Sequence, residues 1–182
     1  MIHAAEFREA CALGAAPSSA AQLLRLHRHS LINLLISGGT ARDRESLGFE
    51  FHRASPLRVG PFVSIDCGRD DARVRASLQS WLTHADCFSH DNPLRAAARG
   101  TLFLDSIEAL VYSTQRLLLL FADGSARSEQ SPGGADWAGR LIVGSAEDLL
   151  VAVAEDRFLA ALHDHLDKIR VDLGPTRHAG AA

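Results

Sequence analysis

Short apolar runs, each closed by a polar residue or a glycine, punctuate the chain at Leu31–Ile36, Pro61–Ile65, Thr101–Leu104, Arg140–Gly144 and Ile169–Leu173. Each is too short for a helix and predicts a strand, and the unbroken run at Thr101–Leu104 predicts one buried on both faces of a parallel sheet. Helical spacing fills the stretches between them. Ala20–His29 puts Leu23, Leu24 and His27 on one face. Arg44–Arg53 follows the small-residue turn SGGTARD, with Asp43 placed as its N-cap. Asp71–Ala85 is the clearest amphipathic helix, with Val74, Leu78, Trp81 and Leu82 at i, i+4, i+7 and i+8. Thr114–Ala122 is apolar almost all round and is expected to be buried, and Glu155–Leu166 is the last helix. Pro56–Gly60, Asp86–Arg99 and the glycine-rich Asp123–Gly139 read as connections. Strands alternating with helices over crossovers of this length predict a three-layer α/β sandwich with about five mostly parallel strands.

The centre of that sheet is the stretch GTLFLDSIEAL at Gly100–Leu110. Asp105 stands at the carboxyl end of its strand, where open parallel sheets bind ligands. In phosphate-binding folds such an Asp holds a metal ion and a following residue orients water. Here that following residue is Ser106. Composition changes the picture little. The chain has 182 residues, 47% apolar and 23% charged, which is one globular domain rather than a disordered chain. A net charge of −3 carries no bias toward nucleic acid or anionic lipid. No run approaches the roughly eighteen apolar residues of a membrane span. The amino terminus, with Glu6 and Glu9 inside it, does not read as a signal peptide. Cys11, Cys67 and Cys87 are widely spaced and fit reduced thiols in a cytoplasm.

Gly38–Glu45 reads GGTARDRE and is followed by Phe51-His52-Arg53-Ala54-Ser55. Then come Pro61-Phe62-Val63-Ser64-Ile65-Asp66-Cys67, GTLFLDSI from Gly100 to Ile107, Gln115 with Leu118 and Leu119, and RLIVGSAEDL from Arg140 to Leu149. In this order and spacing they resemble the GESGTGKE, IHxxS, PFVxIxC, GTLFLDEI and RIIAATNRDL patterns of one family. It is the central AAA+ domain of bacterial sigma-54-dependent transcription activators, the enhancer-binding proteins. The resemblance is collinear from Leu31 to about Pro175. It implies a P-loop NTPase core of AAA+ type. It further implies a vestigial nucleotide site at Gly38, Gly39, Thr40, Arg42, Arg44, Glu45 and Asp105, with ATP and magnesium as the ligands of that class.

The departures from the family pattern fall on its chemistry. A P-loop needs glycine for the backbone to wrap phosphates and a Lys to reach their oxygens. Asp43 replaces the glycine nearest the phosphates, and Arg44, bulkier and forked, replaces the Lys. Ser106 replaces the water-orienting Glu, Ala146 the sensor Asn, and Leu159 and His165 the paired arginines that act across a subunit boundary. Losing a general base costs roughly 10²–10⁴ in rate, and losing an arginine finger roughly 10³–10⁵. The expectation is a domain that does not hydrolyse ATP. Arg42 and Arg44 at a helix start would attract an anion, whereas Asp43 would repel it and serve as a cap. Asp105 is expected as a retained polar strand end.

Other polar clusters carry less. His84, Cys87 and His90, beside Asp86 and Asp91, have zinc-permissive spacing but no evident fourth ligand, so no metal site is assigned. His27 with His29, and His163 with His165, are i, i+2 pairs that point apart on a helix. The chain has no GAFTGA motif between Cys67 and Gly100. The resemblance leads to a division into a helical segment at 1–30, a degenerate AAA+ domain at 31–175 without the helical lid, and a loose tail at 176–182. The implied role is transcription regulation or assembly through protein contacts, with an active AAA+ activator homologue or a second copy of itself. Direct DNA binding and membrane binding are not expected. The alternative is a module that binds ATP, ADP or another nucleotide weakly without hydrolysing it.

Overall fold

A parallel sheet of β1 (Leu34–Ser37), β2 (Phe62–Asp66), β3 (Thr101–Asp105), β4 (Arg140–Ser145) and β5 (Arg170–Asp172) forms the spine of the molecule. The computed structural model describes residues 19–27, 29–83, 92–123 and 137–174. Strand order is β2-β3-β4-β1-β5, so the chain leaves β1 for one edge, returns strand by strand, and closes on the other side of β1. All three central strands are buried along their whole length. That follows from their continuous apolar runs, since helices cover both faces.

Each face has its own core. On one face α1 (Ser19–His27) and α2 (Ala41–Ala54) cover Leu34, Ile36, Phe103, Ile142 and Val171, with Leu47 and Phe51 of α2 packed between them. On the other face lie α3 (Cys67–Thr83), α5 (Tyr112–Ala122), α6 (Leu149–Ala154) and α7 (Ala160–Leu166), which bury Leu35, Leu102, Leu104, Leu141 and Val143. The short α4 (Pro93–Ala96) is capped by Asn92 and buries Leu94 beside α3. It lies in what reads from sequence as an unstructured connection. No helix among the described residues is long and apolar enough to cross a membrane.

Several boundaries differ from the sequence reading, each for a local reason. Leu31 and Ile32 precede β1 and are exposed; Ser30 Oγ accepts the Ile32 N–H and turns the backbone before the ladder starts. α2 begins at Ala41, a turn earlier than Arg44, because Thr40 and not Asp43 is its N-cap. α3 begins at Cys67, with non-helical dihedrals at Asp70. α5 is not buried all round: Thr114, Gln115 and Leu118 face inward while Leu120 is exposed. The helix expected over Glu155–Leu166 starts later, as α7 at Ala160; α6 ends at Ala154, ahead of the expected span, and the residues between the two form a turn with Asp156 at positive φ. Phe158 is buried in that turn, so the apolar pattern continues across it although the helix does not.

Candidate functional site

The carboxyl ends of β1, β3 and β4 converge on the turn that leads into α2. Gly38 and Gly39 both have positive φ, 75° and 60°, which a glycine adopts without strain. Their amides point outward into the protein: Gly38 N–H donates to Ser145 O and Gly39 N–H to Gly174 O, both at 2.9 Å. A Cβ on Gly38 would collide with the Gly174 carbonyl. The Thr40 and Asp43 amides are also engaged. Thr40 N–H donates to Asp43 Oδ2 at 3.0 Å, Asp43 N–H to Thr40 Oγ1 at 3.2 Å, and the Thr40 hydroxyl to Asp43 Oδ2 at 2.6 Å. This reciprocal pair is a capping box. The Thr40 hydroxyl, and after it the Thr40 amide, hold the Asp43 carboxyl below its ordinary value of 3.8. Asp43 thus does act on the helix start, from the third helical position rather than from the cap.

With the amides turned away, the carbonyls of the loop face inward, onto Arg44. Arg44 is the only charged residue of α2 whose side chain enters the protein; Arg42 and Glu45 are exposed. Its NH1 donates to Gly38 O at 3.2 Å and Gly39 O at 3.0 Å. Nε donates to Asp105 Oδ1 at 2.6 Å and NH2 to Asp105 Oδ2 at 2.9 Å. Four of the five guanidinium donors are satisfied, two of them in the forked geometry that suits a carboxylate. The two side chains are 3% and 8% exposed, so the pair is withdrawn from solvent. Breaking such a pair leaves a buried charge without compensation.

Gly144 of β4 makes the room. A Cβ there would overlap Asp105 Oδ1 and come within 3.3 Å of Arg44 Nε. The sequence reading gave Gly144 no role, yet a signal exists: the family pattern RIIAATNRDL has Ala where this chain has Gly144. The larger guanidinium and the smaller strand residue go together.

The remaining departures are placed as follows. Ser106 has left-handed backbone dihedrals, φ 53° and ψ 45°, and leads into a 3-10 turn at Ile107–Ala109. Ala146 N–H donates to Glu108 Oε1 at 3.1 Å, so Glu108 ties the β3 and β4 ends together. Leu159 is turned inward against the core, its N–H held by Gln115 Oε1 at 2.8 Å. Gln115 also donates to Leu110 O and Arg157 O, which fixes the turn before α7. His165 Nε2 lies 2.7 Å from Ala122 O and docks α7 on the end of α5. Neither Leu159 nor His165 carries a guanidinium. His84, Cys87 and His90 lie outside the described residues, among which no group of three metal-ligating side chains converges. Cys67 is buried, and burial first, then the Asp105 charge, pushes its thiol well above the ordinary thiol range, so it is unreactive.

The parallel sheet in this strand order, with a glycine turn running from β1 into a helix and an Asp ending β3, defines a protein of the P-loop NTPase class. The Sigma-54 interaction domain pattern matches residues 14–172, a span that begins ahead of Leu31 and takes in α1, and the chain belongs to that family. It is 33% identical to the acetoin catabolism regulatory protein of Cupriavidus necator over 156 residues, 81% of this chain and 23% of that protein. It is 30% identical to the DNA-binding transcriptional regulator NtrC of Klebsiella pneumoniae over 166 residues, 84% of this chain and 34% of that one. The chain therefore spans a quarter to a third of these curated relatives. Among solved structures, NtrX from Brucella abortus in complex with ADP aligns with TM-score 0.65 at 22% identity, over 86% of this chain and 36% of that chain. The P-loop NTPase domain of a sigma-54 activator from E. coli aligns with TM-score 0.53 at 19% identity, over 79% and 97%. These two structures share the fold.

ATP and magnesium are the ligands this fold family implies, and the residues here do not fit them. A phosphate cradle presents backbone N–H groups and a free cation; this loop presents carbonyls already closed on its own cation. Asp105, the acid that would meet a magnesium ion, has both oxygens on Arg44.

Proposed function

We propose that this chain is a sigma-54 interaction domain that does not hydrolyse nucleotide and regulates transcription through protein contacts. One observation carries the reading: the Arg44 guanidinium is bound between the loop carbonyls and Asp105, so the loop's own cation and the strand-end acid are engaged with each other. Ser106, Ala146, Leu159 and His165 agree with it, because each removes a group the hydrolytic reaction of the family uses. The protein it meets is an active AAA+ activator homologue or a second copy of itself, in the cytoplasm and without direct contact to DNA.

Titration calorimetry with ATP and magnesium is the test. No heat at millimolar nucleotide is the expected result; micromolar binding sinks the claim that the loop is closed by its own arginine. A phosphate-release assay, run with and without an active homologue, extends the test to groups supplied by a partner. Unchanged release in both arms is expected. A pull-down from the native host followed by mass spectrometry then identifies the protein contacts.

A second reading is a nucleotide-responsive module without turnover. The left-handed glycine turn at Gly38 and Gly39 between β1 and α2 favours it, since a glycine turn leading from a strand into a helix is kept there. It requires Arg44 to leave Asp105, so binding would be weak and its signature a nucleotide-dependent loss of that ion pair.

A further inference from the structure

A second arginine is buried at the opposite, amino end of the sheet. Arg140 opens β4, is 0% exposed, and none of its Nε, NH1 and NH2 atoms has a hydrogen-bond partner. It projects on the same side of the sheet as Ile142, under the last turns of α2, where its guanidinium stacks 5.5 Å from the centroid of the Phe51 ring. Its neighbour across the ladder is Thr101, whose Oγ1 lies 3.0 Å from His52 Nδ1. The polar surroundings are neutral. Burial first, then the Arg140 charge, holds His52 below its ordinary value of 6.5, so at neutral pH the imidazole adds no charge. Among the described residues no carboxylate forms an ion pair with Arg140, in contrast to Arg44, Arg157 and Arg170, each of which has one.

Burial lowers the Arg140 pKa only to about 10, so the group is charged at physiological pH. An uncompensated charge withdrawn from water is among the most unfavourable features a fold can contain. Ordered water satisfies donors but leaves the charge unbalanced. Three unpartnered nitrogens on a cation, five N–H donors in all, walled by an aromatic ring and a neutral His–Thr pair, therefore call for an anion small enough to be enclosed.

We infer that Arg140 anchors a buried site for a small monovalent inorganic anion of the halide class, between the end of α2 and the amino ends of β3 and β4. The full enclosure of the side chain rules against a phosphate ester or an organic acid. The site lies on the same face of the sheet as the Arg44–Asp105 pair but at the opposite end of α2, and it does not depend on the nucleotide reading.

The test is thermal unfolding of the full chain at constant ionic strength, with sodium gluconate replaced stepwise by sodium chloride. The expected result is a saturable rise in Tm on the order of 5 °C, reproduced by bromide and abolished in Arg140→Met. Equal Tm values in gluconate and chloride overturn the proposal, as does a chloride dependence that Arg140→Met retains. A crystal of the unmodified protein grown in bromide gives a readout that needs no variant. An anomalous peak on the Arg140 guanidinium supports the site, and water alone at that position overturns it.

Discussion

Arg44 and Asp105 are 61 residues apart in sequence and meet through two parallel hydrogen bonds, from Nε and NH2 of the one to Oδ1 and Oδ2 of the other. Their union joins the first turn of α2 to the end of β3, which lies beside the central strand β4 rather than at the sheet centre expected from sequence. The pair fastens the loop to the sheet.

Removing one partner of that pair should be worse than removing both. Arg44→Met leaves Asp105 buried without a counter-charge and is expected to destabilise the fold by about 3–5 kcal/mol. The double variant Arg44→Met with Asp105→Leu, which leaves no charge behind, should recover most of that loss. Urea unfolding of both variants checks the order, and a double variant as unstable as the single one contradicts it.

Gly144 should be intolerant of a methyl group for as long as Arg44 is present. Gly144→Ala drives a Cβ into Asp105 Oδ1 and toward Arg44 Nε, an overpacking cost of about 1–3 kcal/mol. In an Arg44→Lys background the narrower ammonium relieves the crowding. A double-mutant cycle should therefore show coupling of at least about 0.5 kcal/mol, with the alanine less harmful beside lysine.

Thr40→Ala removes the acceptor for the Asp43 N–H and one donor to its carboxylate. The expected loss is about 0.5–2 kcal/mol. Because Thr40 keeps the Asp43 carboxyl below 3.8, the pair contributes stability above that pH and loses it as pH falls through the lowered value. The variant should lack that acidic component, which unfolding midpoints measured between neutral pH and pH 3 would reveal.

His52 gives a second pH signature at milder acidity. Its folded pKa lies below 6.5 while the unfolded chain titrates at that value, so below pH 6.5 the unfolded state binds more protons. Stability should be level above pH 6.5 and fall as pH drops toward the folded value. His52→Gln should flatten that slope whatever its effect on absolute stability.

The sheet was legible because its buried strands β1, β3 and β4 are mostly apolar runs too short for helices, and the motif order was legible because it is collinear. Helix ends were less so. Nothing in Glu155–Leu166 announces that Asp156 turns left-handed, because the apolar spacing runs through the turn to Phe158. At the site, the losses at Ser106 and Ala146 can be read from single positions, whereas the Arg44–Asp105 contact cannot. Whether an arginine in a glycine loop reaches outward to an anion or inward to an acid depends on where β3 ends and on what β4 places beside it. The glycine at position 144, read together with Arg44, was the sequence signal for the inward choice. Arg140 reads only as the polar start of a strand, since its burial arises from α2 crossing over it.

The cation in the loop is part of the chain, and this bears on what the domain can report. A site filled by a diffusing ligand has an occupancy that varies with concentration, and so carries information about the cell. A site filled by its own side chain has an effective concentration fixed at synthesis. If the proposed reading holds, such a domain would keep one shape at every nucleotide level, and in an assembly of changing subunits it would act as the constant against which the others move.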